Sequence, residues 1–148
     1  MSLTAVFQEY EVLVRVDVTN QDASIAWYKE KLDLELNKNY FVKDYWAQVY
    51  SNELPRFQIG LNSSPPTKAA HEGPTKEPKY EVTTFVVADI KQAVANLRAK
   101  GVVVTDPQPQ GKGVLLSYFD DPDHNHFAIR EKHLAAWRNV AVLNLRTA

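Results

Sequence analysis

The sequence has no cysteine, which excludes disulfide bonds, thiolate metal sites and cysteine nucleophiles. It has no excess of charge, since 17 Lys and Arg stand against 18 Asp and Glu with no long run of either sign. Nucleic-acid binding normally leaves a basic patch, so no nucleic-acid partner is expected. No apolar stretch approaches the roughly 20 residues of a membrane span, and the N-terminus lacks the layout of a signal peptide. We therefore expect a cytoplasmic protein with no membrane partner.

The length and composition predict one soluble globular domain. The chain has 148 residues, of which 45% are hydrophobic and 24% charged, as is usual for globular proteins. This length is enough to bury a hydrophobic core. We expect a single domain over residues 1–148.

A strand-then-helix pattern near the N-terminus recurs 69 residues later, so that Val16 corresponds to Phe85 and Ile25 to Val94. Two copies are too few for a solenoid and predict one pseudo-symmetric domain. Module one covers about residues 9–61, residues 62–78 form a proline-rich linker, and module two covers about residues 80–131. The tail, 132–148, is predicted to be a packing or dimer element.

Each module is predicted to be βαβββ, which gives an α+β fold. In residues 11–18 valines alternate with other residues, which is typical of a strand with one face on a core. Asn20 or Asp22 can cap the following helix, whose apolar stripe is Ile25, Tyr28 and Leu32. Further strands are expected at 34–42, 45–50, 56–61, 80–87, 102–105, 114–119 and 126–131. The second helix carries Ile90, Val94 and Leu97 and ends at Gly101.

Two short motifs carry a family resemblance. One is Ser24-Ile25-Ala26-Trp27-Tyr28, with Leu32-Asp33 four residues on, and the other is the turn Asp121-Pro122-Asp123-His124-Asn125. With the paired βαβββ plan, the chain resembles the vicinal oxygen chelate superfamily, which includes glyoxalase I, bleomycin-resistance proteins and extradiol dioxygenases. The resemblance implies a concave mixed sheet and a homodimer. His124 and Asp33 stand where the family usually has glycine, and histidine tolerates a left-handed turn position better than a β-branched residue does.

The resemblance also implies where a metal would bind. In metal-dependent relatives four inward-facing side chains on the first and last strand of each module hold a divalent ion. Those positions fall on Leu13, Gln58, Val82 and Ala128, of which only Gln58 could act as a ligand. A register slip of two residues would keep the same faces and would place Arg15, Thr84 and His126 there instead. We expect no cofactor, with a divalent metal as the alternative.

The remaining inward-facing positions suggest a cleft for a small molecule, with aromatic faces and a few polar groups. Arg15 and Arg130 could bind an anionic group, and Trp46 could stack on a planar ring. These residues could instead have structural roles. Arg15 could pair with Asp17 or another acid, Trp46 could fill the concave sheet, and His124 and His126 could be turn or surface residues. The predicted ligand-binding residues are Arg15, Trp46, Gln48, Gln58, Thr84, Tyr118, His126 and Arg130.

Three functions fit these observations. The first is a metal-independent protein that binds a small aromatic or anionic ligand, which resembles the bleomycin-resistance branch. The second is an enzyme, either a metal-dependent glyoxalase-type lyase or extradiol-type dioxygenase, or a metal-independent lyase or isomerase with His126 as general base. The third is an interaction module whose tail from Lys132 binds a partner.

Overall fold

The computed structural model describes residues 12–63, 82–110 and 113–131. The first residues of module one, most of the predicted linker and the C-terminal tail lie outside the described residues. Their predicted roles therefore stay predictions. Within the described residues, no helix is both long and apolar enough to cross a membrane.

The described residues form eight strands and two helices in the predicted order. The first module contains β1 (Val12–Asp17), α1 (Gln21–Leu32), β2 (Glu35–Val42), β3 (Trp46–Ser51) and β4 (Leu54–Asn62). The second contains β5 (Thr83–Val87), α2 (Ile90–Ala99), β6 (Gln108–Pro109), β7 (Leu115–Asp120) and β8 (His126–Glu131). The α+β class and the repeated βαβββ plan are confirmed.

The chain divides into two compact units, each with one four-stranded mixed sheet. The first unit contains the described residues 12–63 together with 121–125, and the second contains the remainder. The strand orders are β1-β4-β3-β2 and β5-β8-β7-β6. In each sheet the first strand runs parallel to the last strand of its module, and the other pairings are antiparallel.

Helix α1 buries a different face from the one that its apolar residues predict. Asn20 caps it by accepting a hydrogen bond from the Ala23 amide at 3.0 Å. The buried residues are Gln21, Ser24 and Tyr28 rather than Ile25, Tyr28 and Leu32. Gln21 is buried because its amide donates to the Val42 carbonyl and accepts from the Asp44 amide, each at 2.9 Å. Its polar end is thereby satisfied by the turn between β2 and β3.

In the second unit, α2 buries the predicted residues Ile90, Val94 and Leu97. Gly101 follows with φ at 83°, a left-handed conformation that favours glycine and ends the helix. The strand predicted at residues 102–105 is wrong. That segment makes an isolated bridge between Val104 and Phe119, and the edge strand is β6.

The core of the second unit contains an aromatic stack. The Phe119 and Phe127 rings lie 5.5 Å apart between centroids, and Phe85 lies 5.7 Å from Phe127. These three residues project from one face of the sheet, which leaves the opposite face for other groups.

The turn at residues 121–125 belongs to the first unit and is held there by its own side chains. The Asp121 carboxylate accepts from the Tyr28 hydroxyl at 2.7 Å, from the Asp123 and Asn125 amides at 2.9 Å, and from the Asn125 side chain at 2.8 Å. Asp123 accepts from the Thr19 hydroxyl at 2.6 Å. The Asn125 side chain also donates to the Asp17 carbonyl at 2.8 Å.

The two motifs that carried the resemblance therefore contact each other through Tyr28 and Asp121. Burial, followed by the Asp121 charge, raises the pKa of Tyr28 well above its ordinary value, so the phenol remains a donor at neutral pH. Burial also raises the pKa of Asp121, and hydrogen bonds from Asn125 and Tyr28 oppose that rise. The turn does more than close the last hairpin, because it also binds the end of β1 at Asp17 and the interior of α1 at Tyr28.

The Tyr28→Phe variant removes one donor from a buried carboxylate. A hydrogen bond to a charged group is worth about 1.5–3 kcal/mol, so we expect a loss of that size in the free energy of unfolding. Urea denaturation measures it, and Tyr40→Phe on the exposed edge strand is the matched control. Equal stability of the Tyr28→Phe variant and the unmodified protein would show that this bond does not hold the turn.

Asp33, which follows α1, adopts a left-handed conformation with φ at 56°. Glycine adopts this conformation without steric cost, so we expect Asp33→Gly to raise the unfolding free energy by about 0.5 kcal/mol. Asp33→Ala should lower it, since alanine has neither glycine's freedom nor the local hydrogen bonds of aspartate. Thermal denaturation would contradict this if the alanine variant were as stable as the glycine variant.

Candidate functional site

The open face of the first sheet carries the predicted polar and aromatic residues of module one. Leu13 pairs with Gln58 and Arg15 with Gly60 across β1 and β4. Gly60 pairs in turn with Gln48, and Asn62 with Trp46, across β4 and β3. Because alternate residues of a strand share a face, all of these residues lie on one side of the sheet. The structure thus brings together the predicted residues Arg15, Trp46, Gln48 and Gln58.

A chain of hydrogen bonds fixes the amides on this face. The Trp46 indole donates to Gln48 Oε1 at 3.0 Å, and Gln48 Nε2 donates to Gln58 Oε1 at 2.9 Å. The same Gln58 oxygen accepts from Asn37 Nδ2 at 3.1 Å, and Gln58 Nε2 donates to the Pro55 carbonyl at 3.2 Å. Gln48 and Gln58 are only 6% and 4% exposed. Both ends of the Gln58 amide are therefore occupied, and its orientation is fixed.

Gly60 makes room for the Trp46 ring. A Cβ atom added at Gly60 would lie 2.5 and 2.6 Å from two atoms of that ring and 3.3 Å from Leu13 Cδ1. The ring thus lies directly over the glycine, whose neighbour on β1 is Arg15. The Trp46 ring therefore occupies the space above Gly60 that a side chain would fill, and Arg15 pairs with Gly60 on the neighbouring strand.

Arg15 has an acidic partner, as its structural interpretation anticipated. Its Nε lies 3.5 Å from Asp17 Oδ1, and its side chain is 61% exposed. The same Asp17 oxygen accepts from Asn62 Nδ2 at 3.0 Å. An exposed pair of this kind contributes little to stability, so Arg15 could bind a ligand anion without a large loss in folding free energy.

The open face of the second sheet carries the predicted residues of module two around a small central residue. Ala128 on β8 pairs with Thr84 on β5 and with Tyr118 on β7. His126 and Arg130 lie two residues to either side of Ala128 on β8, about 7 Å along the strand. Ala128 itself is 1% exposed, whereas Thr84 and Arg130 are exposed.

His126 has a carboxylate partner that the sequence pattern did not indicate. Its Nδ1 lies 2.7 Å from Oδ1 of Asp120, the residue directly opposite on β7. The neighbouring His124 is a turn residue with φ at 61°, as predicted. The interpretation of the histidines as turn or surface residues is therefore correct for His124 and incomplete for His126.

The register of the second sheet differs from the repeat-based expectation. In the first unit Leu13 lies opposite Gln58, as expected. In the second, Thr84 rather than Val82 lies opposite Ala128, so that only Thr84 of the three residues in the slipped register takes such a position. The Thr84 hydroxyl donates to the Val82 carbonyl at 3.3 Å.

The residues at the four metal positions do not fit a divalent ion. The side chains of Leu13, Val82 and Ala128 have no atom that can bind a metal ion, and Thr84, which lies opposite Ala128 in place of Val82, is a poor ligand. The Gln58 side-chain oxygen already accepts two hydrogen bonds. Over the described stretches, no group of three or more His, Asp or Glu side chains is placed to hold a metal ion.

Three residues of these faces were missed from the sequence. Gly60 and Asn37 lie beside the predicted glutamines, and strand alternation from Gln58 could have indicated Gly60. Finding Asp120 from the sequence would have required knowledge of the pairing of β7 with β8.

An open cavity of about 630 Å³ also lies in the second unit, between the end of α2 and the sheet edge. Its lining includes Tyr118, Arg98 and Asp106, and the last two form an ion pair at 2.8 Å.

Comparison with known proteins gives one family and several solved structures. The model of the Glyoxalase/Bleomycin resistance protein/Dioxygenase superfamily matches residues 12–129. Among curated proteins there is no match. TnmS3, an antibiotic-binding protein from a Streptomyces strain, has a TM-score of 0.65 at 20% identity, over 84% of this chain and 96% of its own.

Two further structures give similar values. A member of the same superfamily from Sphaerobacter thermophilus has a TM-score of 0.63 at 22% identity, over 83% of this chain and 97% of its own. The fosfomycin resistance protein FosX from Listeria monocytogenes has a TM-score of 0.61 at 14% identity, over 82% of this chain and 92% of its own. At these identities the likeness shows the fold alone.

The Gly60→Ala variant tests the packing of Trp46. The new methyl group must displace the ring, and overpacking of this kind costs about 1–3 kcal/mol of unfolding free energy. In the Trp46→Leu background the same substitution should cost clearly less, which a double-mutant cycle by urea denaturation would measure. Additive effects of the two substitutions would contradict direct contact between the ring and Gly60.

Proposed function

The chain belongs to the glyoxalase/bleomycin resistance protein/dioxygenase superfamily, and from this premise we propose that it is a metal-independent protein that binds a small aromatic or anionic molecule. The open faces of its two sheets supply the contacts. The contact between Trp46 and Gly60, next to Arg15, is the observation that carries the proposal.

Trp46 offers a ring whose position is set from two directions. Its indole nitrogen is bonded to Gln48, and its edge rests on Gly60 and close to Leu13. Because the Trp46 ring is already held in place, little side-chain entropy is lost when a planar ligand stacks on it. Arg15 beside it can donate to a carboxylate or similar group. An aromatic molecule with an anionic substituent fits both.

The donor set favours binding without a metal over metal-dependent catalysis. A glyoxalase-type lyase or extradiol-type dioxygenase would need ligands where the chain has leucine, alanine and valine or threonine. A superfamily neighbour is named for antibiotic binding and another for antibiotic resistance, so recognition of small molecules occurs on this fold. Fold alone does not identify the ligand, so these names support the class only.

Calorimetric titration with 1-naphthoate and its uncharged analogue 1-naphthamide tests the proposal. We expect Arg15→Gln to weaken naphthoate binding about tenfold with little effect on naphthamide, since it removes a charge-assisted hydrogen bond. Trp46→Leu should weaken both ligands, because it removes the stacking surface. The controls lie on the helices: Lys91→Gln removes a positive charge from α2, and Trp27→Phe replaces the indole ring on α1.

The titration is repeated after treatment with EDTA and after addition of Zn²⁺, Ni²⁺ or Mn²⁺. We expect equal affinities in all conditions. Binding that disappears on chelation, together with one divalent ion per chain in the untreated protein, would overturn the metal-independent proposal and favour the enzyme alternative.

A further inference from the structure

The open cavity of the second unit is large enough to hold a small organic molecule. Its volume of about 630 Å³ falls within the range of roughly 300–1,000 Å³ that is usual for ligand pockets. Arg15, Trp46 and Gly60, which carry the proposed function, do not line it. Its lining includes Arg98, Thr105, Asp106, Gln108, Pro109 and Gln110.

One wall of the cavity is the segment at residues 104–110, which is fixed from two sides. The Thr105 amide donates to the Tyr118 carbonyl at 3.0 Å, and the Tyr118 amide donates to Thr105 Oγ1 at 2.8 Å. From α2, Arg98 Nη2 donates to the Val104 carbonyl at 2.6 Å. Because this wall is already ordered, a ligand loses little affinity to the ordering of the protein.

The formal charges at the cavity cancel. Arg98 Nη2 lies 2.8 Å from Asp106 Oδ1, and no other Lys, Arg, His, Asp or Glu is among the described residues that line the cavity. A charged ligand would therefore meet a group of opposite charge that already has a partner. The lining favours a ligand without net charge.

The hydrogen bonds of Arg98 also oppose the binding of an anion. A guanidinium group holds a carboxylate or phosphate through two parallel N–H groups, either Nε with Nη2 or Nη1 with Nη2. The two hydrogens of Nη2 are taken by the Val104 carbonyl and the Asp106 carboxylate, so neither pair is complete. The Nε and Nη1 hydrogens have no acceptor among the described residues, and each can donate a single hydrogen bond.

The uncharged polar groups of the cavity can both donate and accept. The side-chain amides of Gln108 and Gln110 are exposed and make no hydrogen bond within the described part of the chain. The Thr105 hydroxyl accepts from the Tyr118 amide, which leaves its own hydrogen for a ligand. Such a mixture of donors and acceptors is complementary to hydroxyl groups, which also do both.

The ion pair itself can bind hydroxyl groups. A hydroxyl can donate to Asp106 Oδ2 and accept from a free N–H of Arg98 at the same time, and hydrogen bonds joined in this way strengthen one another. The exposed Pro109 ring adds an apolar surface, as ligand pockets usually have beside their polar groups.

We propose that this cavity binds a small uncharged polyol, with a sugar ring as the ligand class. Its hydroxyl groups bond to the pair of Arg98 and Asp106 and to the amides of Gln108 and Gln110, and the C–H face of the ring packs on Pro109. The inference goes beyond the proposed function, because the residues that carry that function lie in the first unit.

A purely structural role for these groups is the competing explanation. The ion pair also ties the segment at residues 104–110 to the end of α2, so its loss would change stability as well as binding. Gln108 separates the two roles, since its side chain is exposed and makes no hydrogen bond to any described residue. Gln92→Ala, which truncates an exposed glutamine on α2, is the matched control.

Titration with simple glycosides, followed by ¹⁵N–¹H correlation spectra, tests the proposal. The probes are methyl α-D-glucopyranoside, methyl α-D-mannopyranoside and methyl β-D-galactopyranoside, with sodium acetate as the anionic comparison. We expect at least one glycoside to shift the Arg98 Nε–H and Gln108 side-chain signals in a saturable manner, and acetate to leave them in place. Gln108→Ala should weaken that glycoside about three- to tenfold through the loss of a hydrogen bond, while Gln92→Ala should not.

Three results would overturn the inference. The first is the absence of a saturable shift at the cavity with every glycoside. The second is binding of acetate at these signals more tightly than any glycoside. The third is equal glycoside affinity in the Gln108→Ala variant and the unmodified protein, once thermal denaturation has shown that both are folded. Binding of 1-naphthoate tests the proposed function separately, so either proposal can fail while the other stands.

Discussion

The buried carboxylate of Asp121 is the interaction on which the first unit depends. Four donors converge on its two oxygens, from the Tyr28 hydroxyl, the Asp123 and Asn125 amides and the Asn125 side chain. A buried charge is tolerated only when it is satisfied in this way. These hydrogen bonds join α1 to the turn at residues 121–125, which lies about 90 residues later in the sequence. They are continuous with the open face of the sheet, because Asn125 binds the Asp17 carbonyl and the Asp17 side chain lies beside Arg15.

The two modules share a scaffold but differ in the groups that they present. The first sheet carries a row of hydrogen-bonded neutral side-chain amides that ends at the Trp46 indole ring. Nearly every donor and acceptor in this row is paired within the protein. Such a row of hydrogen bonds holds these side chains in fixed orientations. The second sheet carries an imidazole with its carboxylate and a separate guanidinium group around an alanine. The two modules therefore have equivalent strand orders but different side chains on their open faces.

The sequence was sufficient for the architecture and for most residues of both faces, because period-two alternation assigns a face without knowledge of strand pairing. It failed where pairing decides the answer. Thr84 rather than Val82 lies opposite Ala128, and Asp120 lies opposite His126, because of a register that only the folded sheet sets. It failed on α1 because Gln21, a polar residue, is buried by hydrogen bonds to a turn 21 to 23 residues away. The role of Gly60 depends on the direction of the Trp46 side chain, which no local pattern contains.

The most direct measurement is a ¹⁵N–¹H correlation spectrum of EDTA-treated protein during titration with 1-naphthoate, followed at the indole signal of Trp46 and the Nε–H signal of Arg15. The account predicts that both signals shift in a saturable manner without any added metal, while the indole signal of Trp27 on α1 stays in place. Shifts that appear only after a divalent ion is added, or that leave Trp46 and Arg15 unchanged, would contradict it.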